Sequence, residues 1–254
     1  MAEKPHSISA EAVVLRQREW GEADRLVFVY SREHGKLKTL AKGARKLKSR
    51  KAGHLQPFSQ VKLMLAAGRD LWIITQVETV QPFLEIKDDL VGIGYAAYVT
   101  ELLDRFTPEE GANTQLYKLL VETFDRINKE PDGFLAVRYY EIRLLDLLGF
   151  RPELQHCVMC GKEITAQDQF FSNSLGGVVC PDCGIQASGA RRISMTALKY
   201  LRHFQRSNYA TAARATLTAP VREELEGIMH TYLTYTLERH INSTDFLRTV
   251  RSGV

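Results

Sequence analysis

The sequence lacks any apolar run long enough to cross a bilayer, which takes about 20 consecutive apolar residues. Its first ten residues, MAEKPHSISA, also lack the apolar stretch of a secretory signal. We therefore expect a cytoplasmic protein. With 44% hydrophobic and 25% charged residues, the composition is that of an ordinary globular protein, and 254 residues suffice for more than one domain.

Catalytic and nucleotide-binding motifs are also missing. The sequence contains no H-E-x-x-H, no G-x-S-x-G and no Walker A motif. The stretch Gly92–Ala97 is similar to a dinucleotide fingerprint, but it lies within a helical pattern and indicates close helix packing. Glu22 and Asp24 stand beside Arg25, and we interpret them as part of a surface ion pair. We predict that the protein is not an enzyme.

Cysteine is scarce, with four residues that all lie between positions 157 and 183. They form two C-x-x-C knuckles, and a glycine follows each of them, where a knuckle turn favours a residue that tolerates positive φ. This spacing predicts a structural zinc site, with iron in the same cage and redox thiols as the alternatives. Four sulfur ligands leave no open position for catalysis, so the metal would serve folding. The predicted ligands are Cys157, Cys160, Cys180 and Cys183.

Acidic residues are absent from the segment Gly35–Lys51, which we call the basic segment. Eight cations without an acid repel one another unless an anion binds them, and a phosphate backbone is the commonest such anion. The first part of the segment partly alternates as a strand does, and the rest favours a mobile loop. A solvated loop without a ligand is the alternative. The predicted DNA-binding residues are Lys36, Lys38, Lys42, Arg45, Lys46, Lys48, Arg50 and Lys51.

Charge is distributed unevenly along the chain. Residues 1–80 carry 15 lysines and arginines against 8 acids, a net charge of +7, whereas residues 81–254 carry 19 against 22, a net charge of −3. A basic front on a nearly neutral body indicates a localised anion-binding face rather than a uniformly cationic protein.

Residues 8–80 show the pattern of an all-β module. Five strands in about 70 residues favour a small barrel of the OB-fold type, with an SH3-like barrel as the competing interpretation. We expect Arg16–Glu22 to connect the first two strands and Ala67–Asp70 to form a hairpin turn. The predicted strands are Ala12–Leu15, Leu26–Tyr30, the basic strand from Gly35, Phe58–Leu65 and Leu71–Val80.

The hydrophobic period changes from 2 to 3.6 after Gln81-Pro82. A helical bundle is predicted, in which the second helix is capped by Asn113 or Thr114. Helices before and after the cysteines are expected to share one core, which makes the cysteine segment an insertion. The predicted helices are Asp88–Phe106, Asn113–Lys129, Pro131–Leu148, one from Ser194 and one from about Thr218.

The fold class that follows is α+β, with a five-stranded OB-fold barrel, a helical bundle and an inserted four-cysteine zinc module. The expected domain ranges are 1–80 for the barrel, 81–150 with 193–254 for the helical domain, and 151–192 for the insertion.

Large aromatic residues are frequent in the β module. Most of Trp20, Phe28, Tyr30, Phe58 and Trp72 are expected in the barrel core, because a small barrel needs large side chains. Trp20 and Trp72 are the candidates for stacking on bases.

Several segments together resemble the RecO family of bacterial recombination mediators. They are Glu22-Ala23-Asp24-Arg25, His34-Gly35, Ala41-Lys42-Gly43-Ala44-Arg45, Ser49 and Leu55-Gln56-Pro57-Phe58. The similarity continues through the helices and the four-cysteine module, and so covers nearly the whole chain.

The resemblance implies a non-enzymatic role in DNA repair. It implies binding of single- and double-stranded DNA, strand annealing, and loading of RecA, together with RecR, onto DNA coated by single-strand-binding protein. Contact with the acidic C-terminal tail of that protein and association with the nucleoid are implied as well. The candidate receptors for the tail are Lys118, Arg126, Arg138, Arg143, Lys199 and Arg202.

Two other functions compete with this interpretation. One is a nucleic-acid-processing enzyme whose barrel holds the substrate, and the absence of catalytic motifs counts against it. The other is a metal-stabilised scaffold whose basic segment binds only protein. Strand annealing without ATP or divalent metal distinguishes a mediator from an enzyme.

Overall fold

The computed structural model describes residues 5–109, 111–238 and 241–252. The remaining positions belong to the predicted barrel and helical ranges, and they lie outside the described residues. Contacts divide the chain into two compact units, one of Met1–Pro131 with Phe246–Val254 and one of Asp132–Asp245. The three domain ranges expected from the sequence stay a prediction, because contacts alone do not decide which parts fold independently.

The first unit contains a closed barrel of five strands in the order β1-β2-β3-β5-β4, with β3 and β5 parallel and the other pairs antiparallel. This order confirms the five-stranded OB-fold barrel. The hairpin turn between β4 and β5 is also confirmed, and Gly68 donates its N–H to the Leu71 carbonyl at 3.0 Å. The strands are β1 Ser7–Trp20, β2 Asp24–Ser31, β3 Gly35–Ala41, β4 Gln60–Ala67 and β5 Trp72–Gln81.

Strand β1 is longer than its apolar pattern predicts. Residues 16–20, which the sequence assigned to a connection, continue β1 and pair with β2. The pairing register shifts between Val14 and Arg16, which is the signature of a β-bulge. Ala10, Ala12 and Val14 point into the barrel, so the bulge turns the even-numbered residues beyond it onto the outer face. The alternation of a regular strand could not have predicted this reversal.

The barrel core is aliphatic and receives two residues from the long β3–β4 connection. Ala44 and Leu55 of that connection are buried among the strand residues. The basic segment is therefore attached to a packed loop. The buried core consists of Ala10, Ala12, Val14, Val27, Val29, Ala41, Ala44, Leu55, Val61, Leu63, Leu65 and Ile74.

Helices complete the first unit. The predicted helix Asp88–Phe106 begins instead at Leu90, because the Asp89 side chain caps α2 by accepting the N–H groups of Val91 and Gly92. Asn113 caps α3 in the same way, as expected. The helices are α1 Leu84–Asp88, α2 Leu90–Phe106 and α3 Thr114–Lys129. The final helix of the chain, Ser243–Ser252, is labelled α9 after the helices of the second unit.

Phe124 of α3 joins two residues of unusual backbone conformation. Phe58 and Phe83 both have positive φ, 66° and 47°, and both contact the Phe124 ring edge-on at centroid distances of 5.9 and 5.7 Å. Positive φ is unfavourable for an aromatic residue, so packing around Phe124 holds these two residues in place.

The second unit consists of helices and the small cysteine module. Its helices are α4 Phe134–Leu147, α5 Pro181–Gly184, α6 Met195–Arg206, α7 Tyr209–Ala212 and α8 Ala219–Leu237. The module contains a three-stranded sheet of order β7-β6-β8, formed by β6 Gln169–Ser172, β7 Gly177–Val179 and β8 Arg191–Ile193. Among the described residues, no helix has both the length and the apolar character of a bilayer-spanning segment.

Candidate nucleic-acid interface and metal centre

The basic segment lies on strand β3 and the β3–β4 loop. The mobility that the sequence favours for this loop stays a prediction. The structure shows consecutive turns, with N–H groups of Ala44, Lys46 and Ser49 donating to carbonyls three residues earlier. The Asp24 carboxylate accepts the Gly43 N–H at 2.7 Å. Asp24 was interpreted as part of a surface ion pair. It instead anchors the β3–β4 loop, whose residues Lys42–Lys51 we call the basic loop.

Three of the eight predicted DNA-binding cations are engaged within the protein. The Lys36 ammonium donates to the main-chain and side-chain oxygens of Asp104, at 2.5 and 3.2 Å. The Lys51 ammonium donates to the Ile74 carbonyl at 2.7 Å. Arg45 pairs with Glu19 at 3.0 Å. These side chains hold the loop and strand in position.

The other five cations are exposed and lack a counter-charge. Within the described part of the chain, their side chains form no ion pair and no hydrogen bond with protein groups. Uncompensated cations that lie close together in the sequence, on a strand and the folded loop after it, attract polyanions such as a phosphate backbone. These residues are Lys38, Lys42, Lys46, Lys48 and Arg50. The assignment of the basic segment to DNA remains a prediction.

The two tryptophans have different environments. Trp72 is partly buried and packs against the barrel core, so the structure does not support base stacking by this residue. Trp20 is 45% exposed at the end of β1. The residues that alternate with Trp20 along β1, Arg16 and Arg18, were missed by the sequence analysis. Their alternating R-x-R-x-W pattern is the signal that indicates one shared face.

The four cysteines converge on one point in the second unit. All four sulfur atoms lie within 4.8 Å of one another, and those of Cys160 and Cys180 are 3.8 Å apart. Four sulfurs at about 2.3 Å from a tetrahedral ion are separated by about 3.8 Å. The cluster could therefore hold a metal ion with four thiolates. His156 is outside the cluster and lies beside Glu153, with its Nδ1 atom 3.7 Å from the carboxylate.

Main-chain N–H groups stabilise a thiolate at the first knuckle, Cys157–Cys160. The Cys180 N–H donates to the Cys157 sulfur at 3.3 Å. Burial raises the pKa of the Cys157 thiol, but N–H groups of Cys180, Cys160 and Met159 outweigh burial and bring this pKa down to about 6. Metal ligands must be thiolates, so these N–H groups favour metal binding at Cys157.

The two glycines that follow the knuckles have different roles. Gly161 adopts a φ of 73°, as expected for a knuckle turn. Gly184 does not have positive φ, and the expectation was wrong there. A Cβ atom on Gly184 would instead collide with the Phe170 ring, so close packing explains this glycine.

Most candidate tail receptors already have partners inside the protein. Arg138 forms a buried ion pair with Glu141 at 2.8 Å. Arg143 lies 3.3 Å from Asp146, and Arg202 donates to a main-chain carbonyl. Their surroundings do not define a single binding pocket for an acidic tail.

Comparison with known proteins adds an independent line of evidence. Residues 5–83 match the family described as "Recombination protein O N terminal", and residues 87–245 match "Recombination protein O C terminal". A protein of Roseiflexus sp. named "DNA repair protein RecO" is 39% identical over 95% of this chain and 85% of its own length. Proteins of the same name from Dehalococcoides mccartyi and Symbiobacterium thermophilum are 34% and 35% identical, over 93% and 96% of this chain and 93% and 98% of theirs.

Proposed function

The chain belongs to the RecO family of DNA repair proteins, and on this basis we propose that it is a recombination mediator that binds single- and double-stranded DNA. The observation that carries the proposal is the group of five uncompensated cations on the basic segment, beside an OB-fold barrel. Such cations neutralise phosphates of either DNA form, because they contact the backbone and not the bases.

Strand annealing follows from the same charge. Two complementary strands repel each other through their phosphates, and a protein that neutralises part of each backbone lowers this barrier. The proposed annealing step uses binding energy alone, so the protein acts without turnover. Within a cell, this role places the protein in the cytoplasm with the nucleoid.

The proposed partners extend this role. RecA would be loaded onto DNA coated by single-strand-binding protein, with RecR as the partner and with the acidic tail of single-strand-binding protein as a contact. We assign the tail to the helices rather than to residues 1–80. A peptide with the acidic tail and a terminal Phe should bind the full chain and a Lys42→Ala/Lys46→Ala/Lys48→Ala variant equally. Loss of peptide binding in that variant would show that the tail binds at the basic loop instead.

Zinc is the proposed ion at the four cysteines. Thiolate sulfur is a zinc ligand, and a site closed by four of them is structural rather than catalytic. A cysteine segment with a three-stranded sheet of 3 to 4 residues per strand has little core of its own. Bound metal would supply the missing stability when it is held by Cys157, Cys160, Cys180 and Cys183.

The experiment that tests the function measures annealing of two labelled complementary oligonucleotides. We expect the full chain, with its bound zinc retained, to bind each strand at low salt and to accelerate annealing without added Mg²⁺ and without ATP. Annealing that requires added Mg²⁺ or a nucleotide would favour the alternative, a nucleic-acid-processing enzyme. Absence of binding to both DNA forms at low salt would overturn the proposal.

A further inference from the structure

The outer face of β1 and β2 carries a column of guanidinium groups and aromatic rings outside the basic segment. The Arg16 guanidinium carbon lies 3.6 Å from the centroid of the Phe28 ring. The Arg18 guanidinium carbon lies 5.8 Å from the Phe28 ring and 5.6 Å from the Trp20 ring. Cations within about 6 Å of a ring centroid are attracted to it. The four side chains therefore support one another as alternating cations and rings, and we call them the stacking column.

The β-bulge in β1 creates this column. Without it, the alternation that points Ala12 and Val14 inward would also point Arg16 and Arg18 into the barrel. With it, these arginines and Trp20 share the outer face with Phe28, their neighbour on β2. Bulges often re-aim side chains next to functional sites. Burying the two arginines would be costly, and exposing them beside aromatic rings gives a surface that can bind flat ligands.

The stacking column is accessible from solvent. Trp20 is 45% exposed, and the Arg16 side chain is 53% exposed. Arg16 is paired with an acid, since its Nε atom lies 3.7 Å from the Asp104 carboxylate. Among the described residues, Arg18 contacts the two rings and forms no ion pair. Trp20, Arg16 and Arg18 thus offer exposed surface to a ligand, whereas Arg16 already covers one face of the Phe28 ring.

Aromatic rings lie beside uncompensated cations at this face. Phe28 pairs with Arg16 on one side and with Lys38 of β3 on the other. Phe28 also lines a cavity of about 90 Å³, whose charged lining consists of the cations Arg16, Lys36 and Lys38 and the acids Asp104 and Glu109. Asp104 is paired with Arg16 and Lys36, whereas Lys38 begins the row of uncompensated cations. The rings of the column therefore suit bases, and the uncompensated cations of the basic segment suit phosphates.

We propose that the stacking column binds bases of single-stranded DNA while the basic segment binds its phosphates. The proposal rests on the DNA-binding function above and assigns the base contacts within it. Bases stack on aromatic rings and on guanidinium planes without regard to sequence. From Arg16 to Trp20 the column extends for about 13 Å, the length of about four stacked nucleotides. Duplex bases are already stacked on each other, so the column discriminates in favour of single strands.

The test compares two oligomers of equal length and charge, one of thymidines and one of abasic sites. Trp20→Ala in the full chain should weaken binding of the thymidine oligomer about 5- to 150-fold and leave binding of the abasic oligomer unaffected. Arg18→Lys keeps the charge but removes the flat guanidinium, so it should show the same selectivity. Arg32→Lys is the matched control, because Arg32 pairs with Glu11 and Glu33 near the β2–β3 turn. It should alter neither affinity.

Fluorescence reports the contact without removing it. The chain has two tryptophans, so Trp72→Phe leaves Trp20 as its only indole. Stacking of thymine on Trp20 should quench Trp20 emission when the thymidine oligomer binds. The abasic oligomer should leave this emission unchanged, even at saturation.

The outcomes separate this inference from the function on which it rests. If the wild-type chain binds both oligomers but Trp20→Ala and Arg18→Lys reduce the two affinities equally or not at all, the column does not stack bases and the DNA-binding function stands. Unquenched Trp20 emission at saturation has the same meaning. If the wild-type chain binds neither oligomer at low salt, the function itself fails.

Discussion

The salt dependence of DNA binding measures how many cations of the basic segment contact phosphates. Five of the eight lack a protein partner among the described residues. If all five contact a single strand, the slope of log K against log salt is about −3.5, from about −0.7 for each neutralised phosphate. Replacing Lys42, Lys46 and Lys48 by Ala should reduce this slope to about −1.4. For duplex DNA, the corresponding slopes are about −4.5 and −1.8.

These slopes translate into affinities that anisotropy titration of a labelled oligomer can measure. Between about 50 and 200 mM salt, the wild-type chain should lose about 130-fold in affinity and the triple variant about 7-fold. For each protein, this loss of affinity with salt should be similar for oligomers of different base sequence, because phosphate contacts do not read bases. Stability should change little, since exposed charges contribute little to folding.

A matched control removes the same charge elsewhere. Lys62, Lys118 and Lys129 are exposed on β4 and α3, and the last two form helix-surface pairs with Glu122 and Asp125. Replacing these three by Ala lowers the net charge equally but should leave the slope near its wild-type value. Equal slopes for wild type and the Lys42/Lys46/Lys48 variant would refute the reasoning. So would equal loss in both triple variants, which would show that net charge alone acts.

Three further outcomes are expected. Cys157→Ser with Cys160→Ser should abolish bound zinc in elemental analysis and lower the melting temperature, with a smaller effect on DNA affinity; full zinc occupancy in this variant would contradict the metal assignment. Asp24→Ala adds positive charge yet should weaken DNA binding, because the Gly43 N–H loses its anchor; tighter binding in the same titration would show that loop position is unimportant. Phe124→Ala should destabilise the protein by about 3–5 kcal/mol in urea unfolding, since Phe124 is fully buried between two strained phenylalanines; a loss below about 1 kcal/mol would contradict this.

Much of the fold was predictable because its signals are local. Short β-branched and aromatic runs predicted five strands, and the change of period at Gln81 predicted helices. The C-x-x-C spacing predicted the convergence of Cys157 and Cys183, since two knuckles have few ways to share one ion. Family membership, predicted from motifs such as Lys42–Arg45, is confirmed by matches along both parts of the chain.

The details of the candidate interface depended on tertiary contacts and could not be predicted. The polar residues of β1 beyond Val14 have no apolar alternation, so the apolar pattern did not extend β1 to them, and only the R-x-R-x-W alternation indicated a strand there. Likewise, composition treats eight cations alike, whereas Lys36 and Lys51 are engaged by Asp104 and Ile74, far away in the sequence. Cation identity is local information, but the availability of a cation depends on which groups the fold brings beside it.

The contacts that the basic loop makes with the β1–β2 turn also determine where its uncompensated cations lie. Asp24 holds Gly43, and the N–H of Arg45 donates to the Ala23 carbonyl at 2.8 Å. The Arg45 side chain donates to the Gly21 carbonyl at 3.3 Å. Since Gly21 directly follows Trp20, these contacts fix the basic loop at the Trp20 end of the stacking column. We therefore expect the contacts of Asp24 and Arg45, which hold the loop, to place its uncompensated cations within reach of a strand bound along the column.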